Sequence, residues 1–166
     1  MTEDLLPAVP TAEGFRAMMR GYPTGVVVVT ARDAGGMPWG MTCSSLCSVA
    51  VDPPTLLVSL RAASPTLAAV LEAGAFCVNV LHGGARHVAE LFASGAPDRF
   101  DRVPWEPSAA GPRLTGAART VAECAVVGTR PVADHVVVFG SVGSVTELPG
   151  DPLLYGFRGY RTWQAR

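Results

Sequence analysis

The sequence predicts a mainly β fold in which a few helices are inserted between the strands of an antiparallel, six-stranded β-barrel. Apolar, β-branched runs recur along the chain and are separated by turns rich in proline, glycine and aspartate. Segments with strand patterning outnumber helical segments by about two to one. A doubly wound sheet would need strand and helix in regular alternation, which this chain lacks. A length of 166 residues suits one domain over residues 1–166.

The N-terminal part predicts a helix followed by a hairpin. The helix opens at Thr11 and stops at Gly21, and its apolar residues fall at helical spacing on one face. A β-branched run over Gly25–Thr30 then reaches the turn Asp33–Gly36, whose residues suit positive φ. A second strand follows near Trp39, which completes the predicted hairpin.

The middle of the chain predicts another strand pair and a helix. The strands Ser48–Val51 and Leu56–Leu60 are divided by Asp52–Pro54, where two prolines force a break. Ser64 is a typical N-cap, with proline at the first helical position, and Gly74 ends the helix.

The second half of the chain predicts mostly strands. A helix over Ala85–Phe92 and an irregular loop over Pro97–Gly116 interrupt them, and a loop of that length is often functional. The predicted strands are Ala75–Leu81, Thr120–Thr129, His135–Leu148 and a short segment around Tyr155.

Composition and charge exclude several classes of protein. The formal net charge is −1, and the 13 basic residues are all arginines scattered along the chain, so we expect no nucleic-acid partner. No window reaches the ~18 uncharged apolar residues that span a bilayer. The N-terminus carries acids where a secretory signal carries bases, which favours a cytoplasmic protein without a membrane partner. The absence of lysine excludes a Schiff base to pyridoxal phosphate.

The familiar catalytic motifs are missing. The chain has no G-x-S-x-G, no H-E-x-x-H, no P-loop and no G-x-G-x-x-G. Its cysteines, Cys43, Cys47, Cys77 and Cys124, form no C-x-x-C pair. We therefore expect them to be small buried hydrophobes, with neither disulfides nor a metal site.

Three stretches could bind a ligand or carry chemistry. Gly40–Ser45 offers hydroxyls and backbone amides to a polyhydroxylated chain or a polar ring edge, or else it is an ordinary turn. Ser64–Thr66 opens a helix, with Arg61 upstream, and either binds an anion or only caps the helix. Asp134 could orient the imidazole of His135, or this histidine is structural.

An ordered set of motifs extends over a core of about residues 15–160. The set comprises Tyr22–Val26, Gly40–Val49, Asp52–Pro54, Ser64–Thr66, Phe76–Leu81, Asp98–Phe100, Glu123–Cys124, Asp134–His135 and Gly140–Val142. In this order the motifs resemble the flavin reductase-like family, which has the FMN-binding split barrel and includes reductase components of two-component flavin-dependent monooxygenases. Ala133 and Leu46 stand where the family often has glycine and phenylalanine, and neither change removes a polar contact.

The resemblance implies a flavin site and one catalytic side chain. His135 is implied on the nicotinamide side. The implied cofactor-binding residues are Thr42, Cys43, Ser44 and Ser45 at the ring edge and ribityl chain, Ser64 and Thr66 at the phosphate, Asn79 and Leu81 beside the flavin, Arg99 and Phe100 near the phosphate, and Tyr160.

The resemblance also implies a function. It implies an NAD(P)H-dependent flavin reductase that passes hydride from NADH or NADPH to FMN or FAD and supplies reduced flavin to a partner monooxygenase, as a homodimer. The cofactors do the bond making in such a reaction, so few catalytic side chains are expected. Two alternatives remain open: a non-enzymatic flavin-binding or electron-transfer protein, and an oxidase of the pyridoxamine-phosphate type.

Overall fold

The computed structural model describes residues 11–163. A short 3₁₀ turn at Gly83–Ala85 precedes the third helix. The helices and strands are α1 (Ala12–Arg20), β1 (Thr24–Gly25), β2 (Val27–Arg32), β3 (Pro38–Cys43), β4 (Cys47–Val51), β5 (Pro54–Arg61), α2 (Pro65–Ala73), β6 (Ala75–Leu81), α3 (Arg86–Ser94), β7 (Ala118–Val132), β8 (His135–Glu147), β9 (Leu153–Gly156) and β10 (Gly159–Thr162).

The strands form two antiparallel sheets. The large sheet has seven strands in the order β3-β2-β6-β7-β8-β5-β4, and the small sheet has three in the order β1-β9-β10. The prediction of a mainly β, antiparallel fold with inserted helices is therefore confirmed.

The predicted six-stranded barrel is not confirmed. The large sheet has seven strands, and its edge strands β3 and β4 do not pair with each other in the described part of the chain. Val26 divides the first predicted strand into β1 and β2. The strands β9 and β10 have four residues each, too few to show a clear period-two pattern in the sequence.

Local signals explain where the first two helices begin and end. The Thr11 hydroxyl accepts a hydrogen bond from the Gly14 amide at 3.1 Å, and the Ser64 hydroxyl accepts one from the Thr66 amide at 3.2 Å. Gly74 ends α2 in the left-handed conformation at φ 64°, as the predicted stop requires.

The valine run of β2 is buried on both faces of the large sheet. Val27 and Val29 contribute to an apolar cluster with α2, while Val26 and Val28 contribute to a second cluster with α3 and the loop before β7. Burial on both sides explains why this strand shows no alternation of polar and apolar residues. By contrast, α1 has no buried residue.

The expectation of buried cysteines is met by two of the four. Cys77 and Cys124 are buried, whereas Cys43 is half-buried and Cys47 is exposed. The expectation of a buried cysteine is wrong for Cys47 because β4 is an edge strand with mostly exposed residues. Within residues 11–163, no helix has the length and apolar character needed to cross a membrane.

Candidate functional site

Two adjoining cavities lie where the end of β3 meets α1 and the β9–β10 hairpin. The larger has a volume of about 810 Å³ and the smaller about 160 Å³. Ser44 and Tyr155 line both cavities, so the two spaces are neighbours. The larger volume falls within the range of sites that hold small molecules and cofactors, about 300–1,000 Å³.

The predicted segment Thr42–Ser45 forms one wall of these cavities. Thr42, Cys43 and Ser44 line the smaller cavity, and Ser44 and Ser45 line the larger one. Since β3 is an edge strand of the large sheet, the backbone groups that face away from β2 have no partner strand. This wall therefore offers amides to a ligand.

The hydroxyls of this wall differ in whether they already make hydrogen bonds within the protein. The Ser45 hydroxyl donates to the Ser59 carbonyl and accepts from the Ser59 amide, both at 2.9 Å, which ties the end of β3 to β5. The Thr42 hydroxyl donates to the Ala89 carbonyl at 2.7 Å. Ser44 is exposed, and among residues 11–163 its hydroxyl makes no hydrogen bond. Ser44 is thus the hydroxyl left open to a ligand.

Two tyrosines of the small sheet form the opposite wall. The rings of Tyr155 and Tyr160 lie 5.1 Å apart, tilted by 58°, and both line the smaller cavity. Burial raises the pKa of Tyr160, so its hydroxyl stays protonated and can donate near neutral pH. Thr24 lines the larger cavity, and its hydroxyl oxygen is buried without a hydrogen-bond partner in the described structure. Orphaned polar atoms of this kind are uncommon in folded proteins.

The predicted phosphate residues lie beside the same strand. The Ser64 hydroxyl caps α2 and donates to Met41 Sδ at 3.3 Å, which links the start of α2 to β3. The Ser64 amide donates to the Arg61 carbonyl at 3.0 Å. Thr66 is buried in the first turn of α2.

The predicted catalytic histidine is half-buried at the start of β8. His135 pairs with Arg61 across the β5–β8 ladder, so it lies at the same end of β5 as the start of α2. Its Nδ1 is 2.8 Å from Asp134 Oδ1, and this hydrogen bond lowers the pKa of Asp134 below its usual range. His135 lines neither cavity.

Asn79 and Leu81 lie in the core of the protein. Asn79 Nδ2 donates to the Val28 carbonyl and to Thr30 Oγ1, each at 3.1 Å, and Asn79 Oδ1 accepts from the Leu114 amide at 2.8 Å. Leu81 is fully buried in the cluster beside α3. Neither residue lines either cavity.

Arg99 and Phe100 also pack inside the fold. Arg99 Nε donates to the Gly40 carbonyl at 3.0 Å, and its Nη1 donates to the Ala96 carbonyl at 2.8 Å. Burial lowers the pKa of Arg99. Phe100 meets Phe92 edge to face at 5.0 Å. These contacts hold the beginning of the Gly40–Ser45 segment in place.

Sequence reasoning did not predict the role of α1 and the β9–β10 hairpin. The larger cavity is lined by Arg16 and Arg20 of α1 and by Phe157 and Arg158 of the hairpin. The available signal was weak: an amphipathic helix is usually read as a helix that covers the core. Here the apolar face of α1 remains exposed instead, as Phe15 shows with 54% exposure.

An antiparallel β protein with a hydroxyl-bearing cavity at a sheet edge belongs to the class of folds that bind small molecules or cofactors. A comparison with known families goes further: the model described as "Flavin reductase like domain" matches residues 19–164. The chain belongs to the flavin reductase like domain family, and the resemblance seen in the sequence is confirmed.

Two relatives and one solved structure support this family assignment. The chain is 48% identical over 155 residues to a "Flavin reductase (NADPH)" of Lentzea aerocolonigenes, covering 92% of this chain and 91% of the relative. It is 42% identical over 165 residues to a "Flavin reductase (NADH)" of Kitasatospora aureofaciens, covering 96% and 86%. It resembles the crystal structure of a nitrilotriacetate monooxygenase component B homolog from Mycobacterium thermoresistibile, with TM-score 0.85, 32% identity and coverage of 92% and 86%.

Proposed function

We propose that the protein is an NAD(P)H-dependent flavin reductase that transfers hydride from a nicotinamide cofactor to FMN or FAD. The observation that carries the proposal is the pair of adjoining cavities at the free edge of β3, in a chain of the flavin reductase like domain family. The relatives from Lentzea and Kitasatospora, whose names specify NADPH and NADH, support the nicotinamide as hydride donor.

The residues around the smaller cavity suit a flavin ring. A flavin has an apolar face and an edge of oxygens and nitrogens, so it needs aromatic or aliphatic contacts and several hydrogen-bond partners. Tyr155 and Tyr160 offer the rings, while the Ser44 hydroxyl and the free amides of β3 offer the partners. We assign the ring edge and ribityl chain to Thr42, Cys43, Ser44 and Ser45, with Tyr160 on the other side.

The protein orients the two rings and places no negative charge beside the flavin ring. Bound flavin and NAD(P)H supply the hydride acceptor and donor, so the chain needs no acid–base pair. Burial raises the pKa of the Cys43 thiol, so this side chain places no negative charge beside the ring. The protonated Tyr160 hydroxyl and the amides of β3 can donate to ring oxygens, which favours added negative charge there.

The remaining predicted residues have proposed roles around this site. We assign Ser64 and Thr66 to the flavin phosphate, because the start of α2 carries the positive end of a helix dipole, which favours an anion. The half-buried His135, beside Asp134, is our candidate for the nicotinamide side. Asn79, Leu81, Arg99 and Phe100 line neither cavity, so we propose that they support the flavin site from the core. Arg99 holds the Gly40 carbonyl of β3, and Asn79 holds β2, which pairs with β3.

We further propose that the large sheet is the wall of a split barrel, with its gap between β3 and β4. The two hydrogen bonds between Ser45 and Ser59 support this, because they hold the end of β3 against β5 near the gap. A homodimer is proposed because α1 leaves Phe15 and Met18 exposed. The likeness to a monooxygenase component supports a role in supplying reduced flavin to a partner monooxygenase. We propose that this role is cytoplasmic.

The test is the rate of NADH and NADPH oxidation by the purified protein, with and without FMN, FAD or riboflavin. We expect oxidation that depends on added flavin. Absence of turnover with both nicotinamides, despite flavin binding seen by fluorescence, would instead support the non-enzymatic flavin-binding protein.

A further inference from the structure

Three arginines from two separate elements line the larger cavity. Arg16 and Arg20 lie four residues apart on α1, so they project from the same face of the helix. Arg158 lies in the turn between β9 and β10 and lines the same cavity. Three positive charges around one space attract an anion that carries more than one negative charge.

The hairpin that carries Arg158 has an uncommon backbone. Phe157 and Arg158 are the two turn residues, and both have positive φ, 49° and 59°. Two-residue hairpin turns of this kind usually contain asparagine, aspartate or glycine, because other side chains are strained there. Such backbone strain is concentrated at functional sites. The turn thus places an aromatic ring and an arginine at two positions where glycine would adopt the same backbone conformation with less strain.

The two elements are held together by the main chain. The Phe157 amide donates to the Arg20 carbonyl at 2.8 Å, at the last residue of α1. The Gly21 and Tyr22 amides donate to the Met18 and Met19 carbonyls at 3.1 and 3.2 Å. The carbonyls at this end of α1 are therefore partnered by amides, and the guanidinium groups are not needed to satisfy them.

Within residues 11–163, no acidic side chain balances these arginines. The residues that line the cavity include no aspartate or glutamate. In the described part of the chain, Arg16, Arg20 and Arg158 take part in no ion pair, and Glu13, in the first turn of α1, also forms none. Four aromatic residues share the cavity wall, namely Phe15, Tyr22, Tyr155 and Phe157.

We propose that Arg16, Arg20 and Arg158 bind the 2′-phosphate on the adenosine half of NADPH and make NADPH the preferred hydride donor. The inference rests on the proposed function of the neighbouring site. A phosphate monoester carries about −1.5 to −2 charge at pH 7 and pairs well with guanidinium groups. The aromatic rings suit an adenine, since bases stack on aromatic side chains. NADH lacks the phosphate, so it gains nothing from the arginines.

The first test compares nicotinamides in steady-state kinetics at saturating FMN. We expect the wild-type KM for NADPH to be at least about tenfold below that for NADH, since a hydrogen bond to a charged group contributes about 1.5–3 kcal/mol. In the triple variant Arg16→Gln, Arg20→Gln, Arg158→Gln, the KM for NADPH rises to the level of NADH. The KM for NADH, the KM for FMN and kcat stay within about twofold. Arg130→Gln, at an exposed arginine of β7, is the control and keeps the wild-type preference.

A second measurement does not depend on turnover. Calorimetry measures binding of adenosine 2′,5′-bisphosphate and of 5′-AMP, and we expect the wild type, but not the triple variant, to prefer the bisphosphate. Equal binding of the two probes by the wild type, or equal KM changes for NADPH and NADH, would overturn the inference. A rise in the KM for FAD, with FMN and NADPH unchanged, would also overturn it and assign the arginines to the adenylyl half of the flavin. Absence of flavin-dependent oxidation in the wild type would defeat the proposed function, while the calorimetry would still decide the inference.

Discussion

The core of the large sheet and the wall of the cavities differ in how fully their polar side chains are hydrogen-bonded. In the core, Asn79 uses both ends of its amide in hydrogen bonds, and Arg99 donates to three main-chain carbonyls. At the cavity wall, Ser44 makes no hydrogen bond among the described residues, and Thr24 has a buried hydroxyl without a partner. Asn79 and Arg99 find their partners within the protein, whereas Ser44 and Thr24 lack partners that a ligand can supply.

The same contrast holds for apolar residues. Every residue of β2 from Val27 to Ala31 is buried, while α1 has an apolar face and buries none of its residues. Residues that complete the fold and residues left for a ligand or a second subunit therefore occupy different elements. The contrast predicts that changes in the core lower stability and changes at the wall alter binding.

The largest expected effect is on stability, from Asn79→Ala. The substitution removes three buried hydrogen bonds and leaves the Leu114 amide unpartnered, so we expect the free energy of unfolding to fall by roughly 2–4 kcal/mol. Urea denaturation measures this change. Ser44→Ala is the control, with a change in stability below about 0.5 kcal/mol and weaker flavin binding. A stable Asn79→Ala protein with impaired flavin binding would break the contrast.

Two glycine substitutions compare how tightly the core and the cavity wall are packed. At Gly140 an added Cβ would lie 2.6 Å from Phe76 Cζ and 3.0 Å from Cys124 Cβ, so Gly140→Ala overpacks the core and costs about 1–3 kcal/mol. At Gly25, which lines the larger cavity, nothing lies within 4 Å, so Gly25→Ala keeps the stability of the wild type. Thermal unfolding compares the two. Equal losses of stability would show that the cavity wall is packed like the core.

Ser64→Ala separates capping from phosphate binding. Loss of the N-cap hydrogen bond to the Thr66 amide lowers stability by about 1 kcal/mol. If Ser64 also contacts the flavin phosphate, the dissociation constant rises for FMN and stays constant for riboflavin, which has no phosphate. Fluorescence titration with both flavins measures this. Equal changes for the two flavins would leave Ser64 with a capping role alone.

The smallest effect concerns cysteine chemistry and needs no variant. Burial raises the pKa of Cys77 to about 11 and that of Cys124 to about 12, so both thiols stay protonated at pH 8 and react slowly. Cys47 is exposed on β4, so iodoacetamide should modify it first, and the buried thiols should follow only as the pH approaches 11 or the protein unfolds. Mass spectrometry of digested protein gives the order. Early labelling of Cys77 would contradict the packing of the core.

The sequence predicted the three helices and most of the strands because their signals are local. Thr11, Ser64 and Gly74 act at the helix ends where capping chemistry places them. The split of the first strand and the strand count were not predicted, because very short strands form through pairing with distant residues.

The candidate site was predicted in part. The segment Thr42–Ser45 lines the cavities, but Asn79 and Arg99 lie in the core, since a polar residue within a motif can serve the fold as well as a ligand. The role of Arg16 and Arg158 could not be predicted, because only the folded chain brings α1 to the β9–β10 hairpin.

The most direct test of the account is the dissociation constant of FMN for Tyr155→Ala, measured by fluorescence titration together with the thermal unfolding midpoint. Tyr155 lines both cavities, and loss of one stacking ring costs about 1–3 kcal/mol of binding. We predict a rise in the dissociation constant of about tenfold with an unchanged midpoint, and a constant near the wild-type value for Tyr155→Phe. Unchanged FMN binding by Tyr155→Ala would contradict the assignment of the flavin to these cavities.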